Sequence, residues 1–141
     1  MRIGLDIGGT KTDAVALDRT GREAARVRRT TGFGPDAVLA GAEAAVRAVV
    51  ARAGAVLADV DAVGVGIPGV IDEEYGDVRH AVNLGVAELA LSTRLSGRLG
   101  LPVTVENDVK AAALGAYHLL GLSGSAALLN LGTGLAAGIV V

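Results

Sequence analysis

The chain has 141 residues, of which 51% are hydrophobic and only 2% aromatic, so it is predicted to form one domain with an aliphatic core. Its formal net charge of −2 does not suit nucleic-acid binding, which needs a basic surface. The absence of cysteine excludes disulfides and zinc–thiolate sites from these residues. The short apolar run at the N-terminus is interrupted by Asp6 and does not resemble a signal peptide, so we expect a cytoplasmic protein.

The first thirty residues predict three strands joined by tight turns. Alternating apolar residues mark a strand over residues 2–7, and Gly8-Gly9 turns the chain into a returning strand over residues 12–17. Residues 18–21 form a turn sequence that ends in glycine. The third strand, over residues 23–30, is more polar and is expected near an edge of the sheet.

Helices and strands are then predicted to alternate. Pro35 suits the first position of a helix, and Gly54 follows its predicted end. The predicted helices span residues 35–53, 88–99 and 108–120, and the predicted strands span residues 61–67 and 103–106. The order βββ-α-β-α-β-α indicates an α/β fold with a mixed sheet.

The last segment, residues 119–141, contains no charged residue and is long enough to cross a bilayer. However, it holds five glycines, and its apolar residues form two short runs around Gly132-Thr133-Gly134. This pattern favours two buried strands joined by a turn. No membrane partner is therefore expected.

The turn that follows the first strand has the composition of a phosphate-binding loop. Gly8 and Gly9 allow a close approach of the backbone, whose bare N–H groups can bind an anion, and Thr10 and Lys11 follow. Asp6, at the strand end, can hold a hydrated Mg²⁺ beside the phosphates. The turn matches neither the Walker pattern nor the dinucleotide fingerprint. The alternative is an ordinary Gly-Gly hairpin with a surface lysine.

A second turn repeats this design near the end of the chain. Gly132, Thr133 and Gly134 again lie between two apolar runs, and aligning the two turns places Asn130 opposite Asp6. Two such hairpins suggest a duplicated fold that grips one nucleotide from two sides. The alternative is a second glycine-rich hairpin that arose by chance.

The segment Glu106-Asn107-Asp108 lies between a predicted strand and an alanine-rich helix. Asp108 could accept the proton of a substrate hydroxyl as that hydroxyl attacks a phosphoryl group. The alternative is helix capping, since Asn107 is a favourable N-cap and Asp108 suits the positive end of the helix dipole.

Two further segments offer ligand contacts. Pro68 and Gly69 follow a strand of small residues, where an open α/β sheet leaves room for a ligand. Asn83 offers both a donor and an acceptor, which suits a sugar hydroxyl. An ordinary exit from strand to loop explains the same residues equally well. Neither His80 nor His118 has ligand-like partner spacing.

Together these segments resemble the ROK family of repressors and kinases, which belongs to the superfamily of actin, hexokinase and the heat-shock ATPases. The resemblance covers the whole chain, and the END segment followed by A-A-A-L-G is its most specific part. The matching stretches are residues 3–12, 63–72, 82–85, 101–115 and 130–141.

The resemblance implies an RNase H-like, actin-like ATPase lobe and ATP-dependent phosphorylation of a hexose or N-acetylhexosamine at its 6-hydroxyl. Asp108 would be the general base, and Asn107, Asn83, Pro68 and Gly69 would line the sugar site with it. The two glycine turns would hold the ATP phosphates, with Asp6 near Mg²⁺. The phosphate-binding residues would be Gly8, Gly9, Thr10, Lys11, Gly132, Thr133 and Gly134.

Family members are about twice as long as this chain. Residues 1–122 are therefore expected to form the N-terminal lobe, and residues 123–141 the first hairpin of a second lobe. A structural zinc is expected only in the remaining half, and this part alone should have little activity. The exposed strand edges of the hairpin favour self-association, and a homodimer or other homo-oligomer is expected.

Two other functions remain open at this stage. One is the sugar-sensing domain of a ROK transcriptional repressor, although only Met1 and Arg2 precede Ile3, the first apolar residue of the first strand, and the chain is acidic. The other is an actin-like ATPase or chaperone that hydrolyses ATP without a sugar, which the Glu106-Asn107-Asp108 segment disfavours.

Overall fold

A computed structural model describes residues 1–72, 74–131 and 135–140. It has an α/β architecture in which α-helices flank a five-stranded mixed sheet, as the sequence predicts. The strands are β1 (Arg2–Ile7), β2 (Lys11–Leu17), β3 (Glu23–Thr30), β4 (Ala62–Ile67), β5 (Val70–Ile71), β6 (Val78–Ala81), β7 (Val86–Leu89), β8 (Val103–Asn107), β9 (Ala126–Leu131) and β10 (Leu135–Val140). The α-helices are α1 (Pro35–Arg52), α2 (Leu91–Leu99) and α3 (Asp108–Leu119).

The main sheet has the strand order β3-β2-β1-β4-β8. The first three strands are antiparallel neighbours, whereas β1, β4 and β8 run parallel. Parallel neighbours need crossover connections, which α1 and α2 provide here. The carboxyl ends of β1, β4 and β8 therefore meet at one edge of the sheet.

The core lies between this sheet and α1 and α2, and aliphatic side chains fill it. Alternate residues of β1 are buried, because successive strand side chains point to opposite faces. The helices contribute apolar residues at helical spacing. The largest fully buried side chains are Ile7, Leu39, Ile67, Leu84, Leu91, Leu95, Val38, Val46, Val49, Val63, Val78 and Val86.

The prediction of a helix over residues 88–99 is wrong at its start. Glu88 and Leu89 belong to β7, and α2 begins at Leu91. Strands β5, β6 and β7 form a small sheet that the sequence pattern does not predict. In both β6 and β7, two exposed residues lie between the two buried ones. The buried residues are therefore three positions apart, which is the spacing of a helix and not of a strand. His80 also adopts a positive φ of 55°, which breaks the regular alternation of β6.

The C-terminal segment contains two paired strands, as its two short apolar runs predict, but the prediction that they are buried is wrong, since Leu129 and Ile139 are 63% and 72% exposed. Strands β9 and β10 pair antiparallel. Gly138 of β10 lies so close to α3 that an added Cβ would stand 2.6 Å from the Cβ of Ala113. In the part of the chain that the structure describes, the helices are too short or too polar to cross a membrane. The predicted second phosphate turn, Gly132-Thr133-Gly134, falls outside the described residues.

Candidate functional site

The parallel strands bring the predicted catalytic segments together at one edge of the sheet. Asp6 of β1 is in register with Gly66 of β4, and Gly66 with Glu106 of β8. Neighbouring strands are about 4.8 Å apart, so the backbones at Asp6 and Glu106 are separated by roughly 10 Å. Asp108 follows at the first position of α3.

Asp6 and Asp108 line the same open cavity of about 700 Å³ between the sheet and α3. Gly66 permits this arrangement, because an added Cβ would already contact the Cα of Asp108 at 3.5 Å. A larger side chain at this position would push α3 away from the sheet. The other walls of the cavity are mainly apolar, apart from Arg26, whose guanidinium pairs with Glu23. Asp6 and Asp108 are therefore the acidic groups of the cavity.

The electrostatics around Asp6 favour a cation. Although Asp6 as a whole is exposed, partial desolvation raises the pKa of its carboxyl above the ordinary value of 3.8. The negative charges of Asp108 and Asp13 raise this pKa further, and Lys11 partly opposes them. A bound cation would relieve this repulsion.

The carboxylates do not form a complete metal cage by themselves. Among residues 1–72, 74–131 and 135–140, no group of three or more His, Cys, Asp or Glu side chains could hold a metal ion. Mg²⁺ commonly takes one or two carboxylates and completes its shell with water and substrate phosphates. The residues present therefore fit a Mg²⁺ that arrives with a nucleotide.

The first glycine turn is tight and adjoins the Asn83 segment. The backbone N–H of Gly8 donates to the carbonyl of Lys11 at 2.9 Å, and a Cβ at Gly8 would lie 3.2 Å from that oxygen. An added Cβ at Gly9 would contact Asn83 at 3.5 Å. Thr10 and Lys11 are exposed. The structure thus places predicted phosphate-binding and sugar-binding residues close together.

Asn107 has the capping role that the sequence leaves as an alternative. Its Oδ1 accepts hydrogen bonds from the backbone N–H groups of Val109 and Lys110 at 3.0 and 3.3 Å. Its Nδ2 donates to the carbonyl of Gly69 at 3.1 Å. Asn107 therefore fixes the start of α3 and ties the Gly69 loop beside Asp108. Its amide carries a second N–H, so a role in sugar binding stays a prediction.

The Gly69 loop rests against β6, which leads into the Asn83 segment. Gly69 has a φ of +118°, and an added Cβ would lie 2.7 Å from the carbonyl oxygen of Arg79. Directly after β6, residues Val82–Leu84 form a 3₁₀ turn that carries the exposed Asn83. Pro68, Gly69, Asn83 and Asn107 therefore belong to one cluster of loops.

A third loop, residues 31–34, completes this cluster, and the sequence interpretation assigns it no role. The N–H of Thr31 donates to the carbonyl of Thr10 at 3.1 Å, and the N–H of Gly34 donates to the carbonyl of Leu84 at 2.7 Å. The loop thus connects the glycine turn with the Asn83 turn. Phe33, a lone aromatic between two glycines in a chain poor in aromatics, is the signal that could have identified it.

Replacing Gly69 by alanine should destabilise the protein by about 1–3 kcal/mol, because the new Cβ would combine a disfavoured φ with a backbone clash. The measurement is urea unfolding at equilibrium. Gly64→Ala is the matched control, since Gly64 lies on β4 and its added Cβ would meet nothing within 4 Å. Equal free energies of unfolding for the two variants would contradict the prediction.

The fold defines a class of protein, a lobe of the actin-like ATPase fold. The chain belongs to the ROK family, whose sequence profile matches residues 2–141. It is 36% identical over 143 aligned positions to the glucokinase of Streptomyces coelicolor, covering 100% of this chain but 44% of that protein. The chain therefore spans less than half the length of this relative.

A solved structure shows the same fold. The ROK family glucokinase of Streptomyces griseus, in complex with glucose and AMPPNP, superposes with a TM-score of 0.87 at 36% identity, over 99% of this chain and 44% of that one. A repressor is also similar. The xylose repressor of Caldicellulosiruptor bescii is 35% identical over 81 residues, which cover 56% of this chain and 20% of the repressor.

Proposed function

We propose that this chain is the N-terminal lobe of a cytoplasmic sugar kinase that transfers the γ-phosphoryl group of ATP to the 6-hydroxyl of a hexose or N-acetylhexosamine. The observation that carries the proposal is the pairing of Asp6 and Asp108 in one cleft beside the first glycine turn. One carboxylate suits the metal that accompanies ATP, and the other suits the proton of the attacking alcohol.

The proposed chemistry needs positioning and one base. The sugar hydroxyl oxygen bonds to the γ-phosphorus while the bond from that phosphorus to the β,γ-bridging oxygen breaks, and ADP leaves. Asp108 accepts the hydroxyl proton. Mg²⁺ would neutralise charge on the phosphates when it is bound, with Asp6 holding it through water. Gly8, Gly9, Thr10 and Lys11 hold the phosphates, and the second predicted turn, Gly132, Thr133 and Gly134, is assigned the same role from its sequence.

The sugar is proposed to lie among the loops that Asn107 ties together. The hydrogen bond from Asn107 to the Gly69 carbonyl keeps the Pro68-Gly69 loop beside Asp108. Asn83, in contact range of Gly9, lies at the border between the sugar and the phosphates. Because the relatives include a glucokinase with bound glucose, we propose glucose as the first hexose to test.

A sugar-sensing repressor domain is the second candidate, because the xylose repressor shares part of this sequence. A sensor needs the sugar contacts but has no use for a general base or for phosphate turns. The two functions therefore differ in one observable, the production of ADP that depends on the sugar.

The test supplies the full-length protein with ATP, Mg²⁺ and a panel of hexoses and N-acetylhexosamines, and it measures ADP. We expect ADP release with glucose but not with 6-deoxyglucose, a matched control that lacks the hydroxyl to be phosphorylated. Calorimetry with the same sugars measures binding separately. Binding without ADP release for any sugar would reject the kinase and favour the sensor.

A further inference from the structure

Phe33 is an exposed aromatic residue at the candidate sugar site. It is the one phenylalanine of the chain, and 75% of it is accessible to solvent. Exposing a large apolar ring to water forgoes the free energy that its burial would provide. An exposed aromatic beside a cluster of polar loops is therefore a candidate contact for a ligand.

The backbone around Phe33 is held from both sides. Residues 31–34 are fixed to the glycine turn through Thr31 and to the Asn83 turn through Gly34, by the two hydrogen bonds described above. The ring also packs against Gly85. A Cβ at Gly85 would lie 2.5 Å from the nearest ring carbon, and this glycine adopts a φ of +66°. Gly85 thus leaves open the space that the Phe33 ring occupies.

Gly85, against which the Phe33 ring packs, lies next to the predicted sugar-binding residues. Gly85 ends the 3₁₀ turn that carries Asn83, and Asn83 in turn adjoins Gly9. Val82, at the start of that turn, is 80% accessible and adds a second exposed apolar group. Amide groups and apolar surface therefore occur side by side in this cluster, as is usual in small-molecule sites.

We propose that Phe33 contacts the sugar and contributes to its selection, with its ring packed against a C–H face of the pyranose. This inference rests on the proposed sugar kinase function. A pyranose with equatorial hydroxyls presents its polar groups at the rim and its C–H groups on its two faces. Asparagine side chains can bind the rim, and an aromatic ring suits a face. An axial 4-hydroxyl, as in galactose, interrupts only the face that carries the C2 and C4 hydrogens, which is the face proposed to meet the ring.

The test compares Phe33→Ala and Phe33→Tyr with the parent in the full-length protein. For Phe33→Ala we expect the KM for glucose to rise about tenfold, while kcat and the KM for ATP stay within about twofold. Phe33→Tyr, which keeps an aromatic ring, should stay within about threefold of the parent. The ratio of kcat/KM for glucose to that for galactose should fall in the alanine variant.

Val56→Ala is the control, because Val56 is 62% exposed but lies beyond the C-terminal end of α1, before β4 begins. An unchanged KM for glucose in Phe33→Ala would overturn the role of Phe33 and leave the kinase assignment intact. Equal increases in the KM values for glucose and ATP would also overturn it. If the parent shows no turnover, the kinase proposal fails, and the calorimetric Kd for glucose then decides the role of Phe33. If the unmodified protein binds no sugar, both the kinase proposal and the role of Phe33 are rejected.

Discussion

Replacing Asp108 by asparagine should lower the kcat for sugar phosphorylation by about 10³-fold while the Kd for glucose stays within about threefold. A positioned general base typically contributes 10²- to 10⁴-fold, and asparagine keeps the shape of aspartate without its basicity. The cap of α3 should survive, because Asn107 supplies it. The variant is therefore expected to fold and to bind sugar normally. Stopped assays give kcat, and calorimetry gives the Kd.

The matched control for this experiment is Asp61→Asn. Asp61 precedes β4 at the opposite edge of the sheet, and its carboxylate pairs with the N-terminal amine at 2.8 Å. That exposed pair contributes little to stability, so kcat should not change. A kcat for Asp108→Asn close to that of the control would remove Asp108 from the proposed mechanism.

Replacing Asp6 by asparagine should abolish most activity and yet make the protein more resistant to urea at pH 7. The activity loss, about 100-fold or more in kcat, follows from removing the carboxylate proposed to hold Mg²⁺. The gain in stability follows from the raised pKa of this carboxyl. Near neutral pH its charge is less favourable in the folded protein than in the unfolded chain, and asparagine removes that charge.

The pH dependence gives the sign of this effect. A raised pKa means that the folded protein binds the Asp6 proton more tightly than the unfolded chain does, so this carboxyl destabilises the fold at pH values above its folded pKa. The difference between variant and parent should therefore be largest at neutral pH and vanish below the ordinary value of 3.8, where both states are protonated.

Asp18→Asn is a control of opposite sign. The side-chain hydroxyl of Thr20 and the backbone N–H of Arg22 donate to Asp18, and they lower the pKa of its carboxyl. The charged form of Asp18 therefore stabilises the fold above the unfolded pKa, and this contribution is lost as the pH falls. Asp18→Asn should thus weaken the fold at pH 7 without affecting kcat. If Asp6→Asn also weakens the fold at pH 7, the proposal that the charge of Asp6 destabilises the folded protein is wrong.

Local sequence patterns determined most of the architecture. Apolar alternation predicted β1, and the proline and glycine at the two ends of α1 predicted its bounds, because these signals depend on neighbouring residues only. The sequence also indicated the family and two of the candidate site segments, the first glycine turn and Glu106-Asn107-Asp108. Strands β6 and β7 were missed for a local reason, since two exposed residues in a row and the positive φ of His80 remove the period-two signal.

Which of these segments meet depends on the pairing of strands that are distant in sequence. The strand order β1-β4-β8 places Asp6 and Asp108 in one cleft, although most of the chain separates them in sequence. It also gave Asn107 its second bond, to the carbonyl of Gly69, and seated Phe33 on Gly85. Such contacts depend on strand pairing and on the space that glycines leave because they carry no side chain. Neither produces a periodic pattern in the sequence. Local sequence signals thus predict most of the elements and their chemistry, whereas long-range packing sets which elements become neighbours.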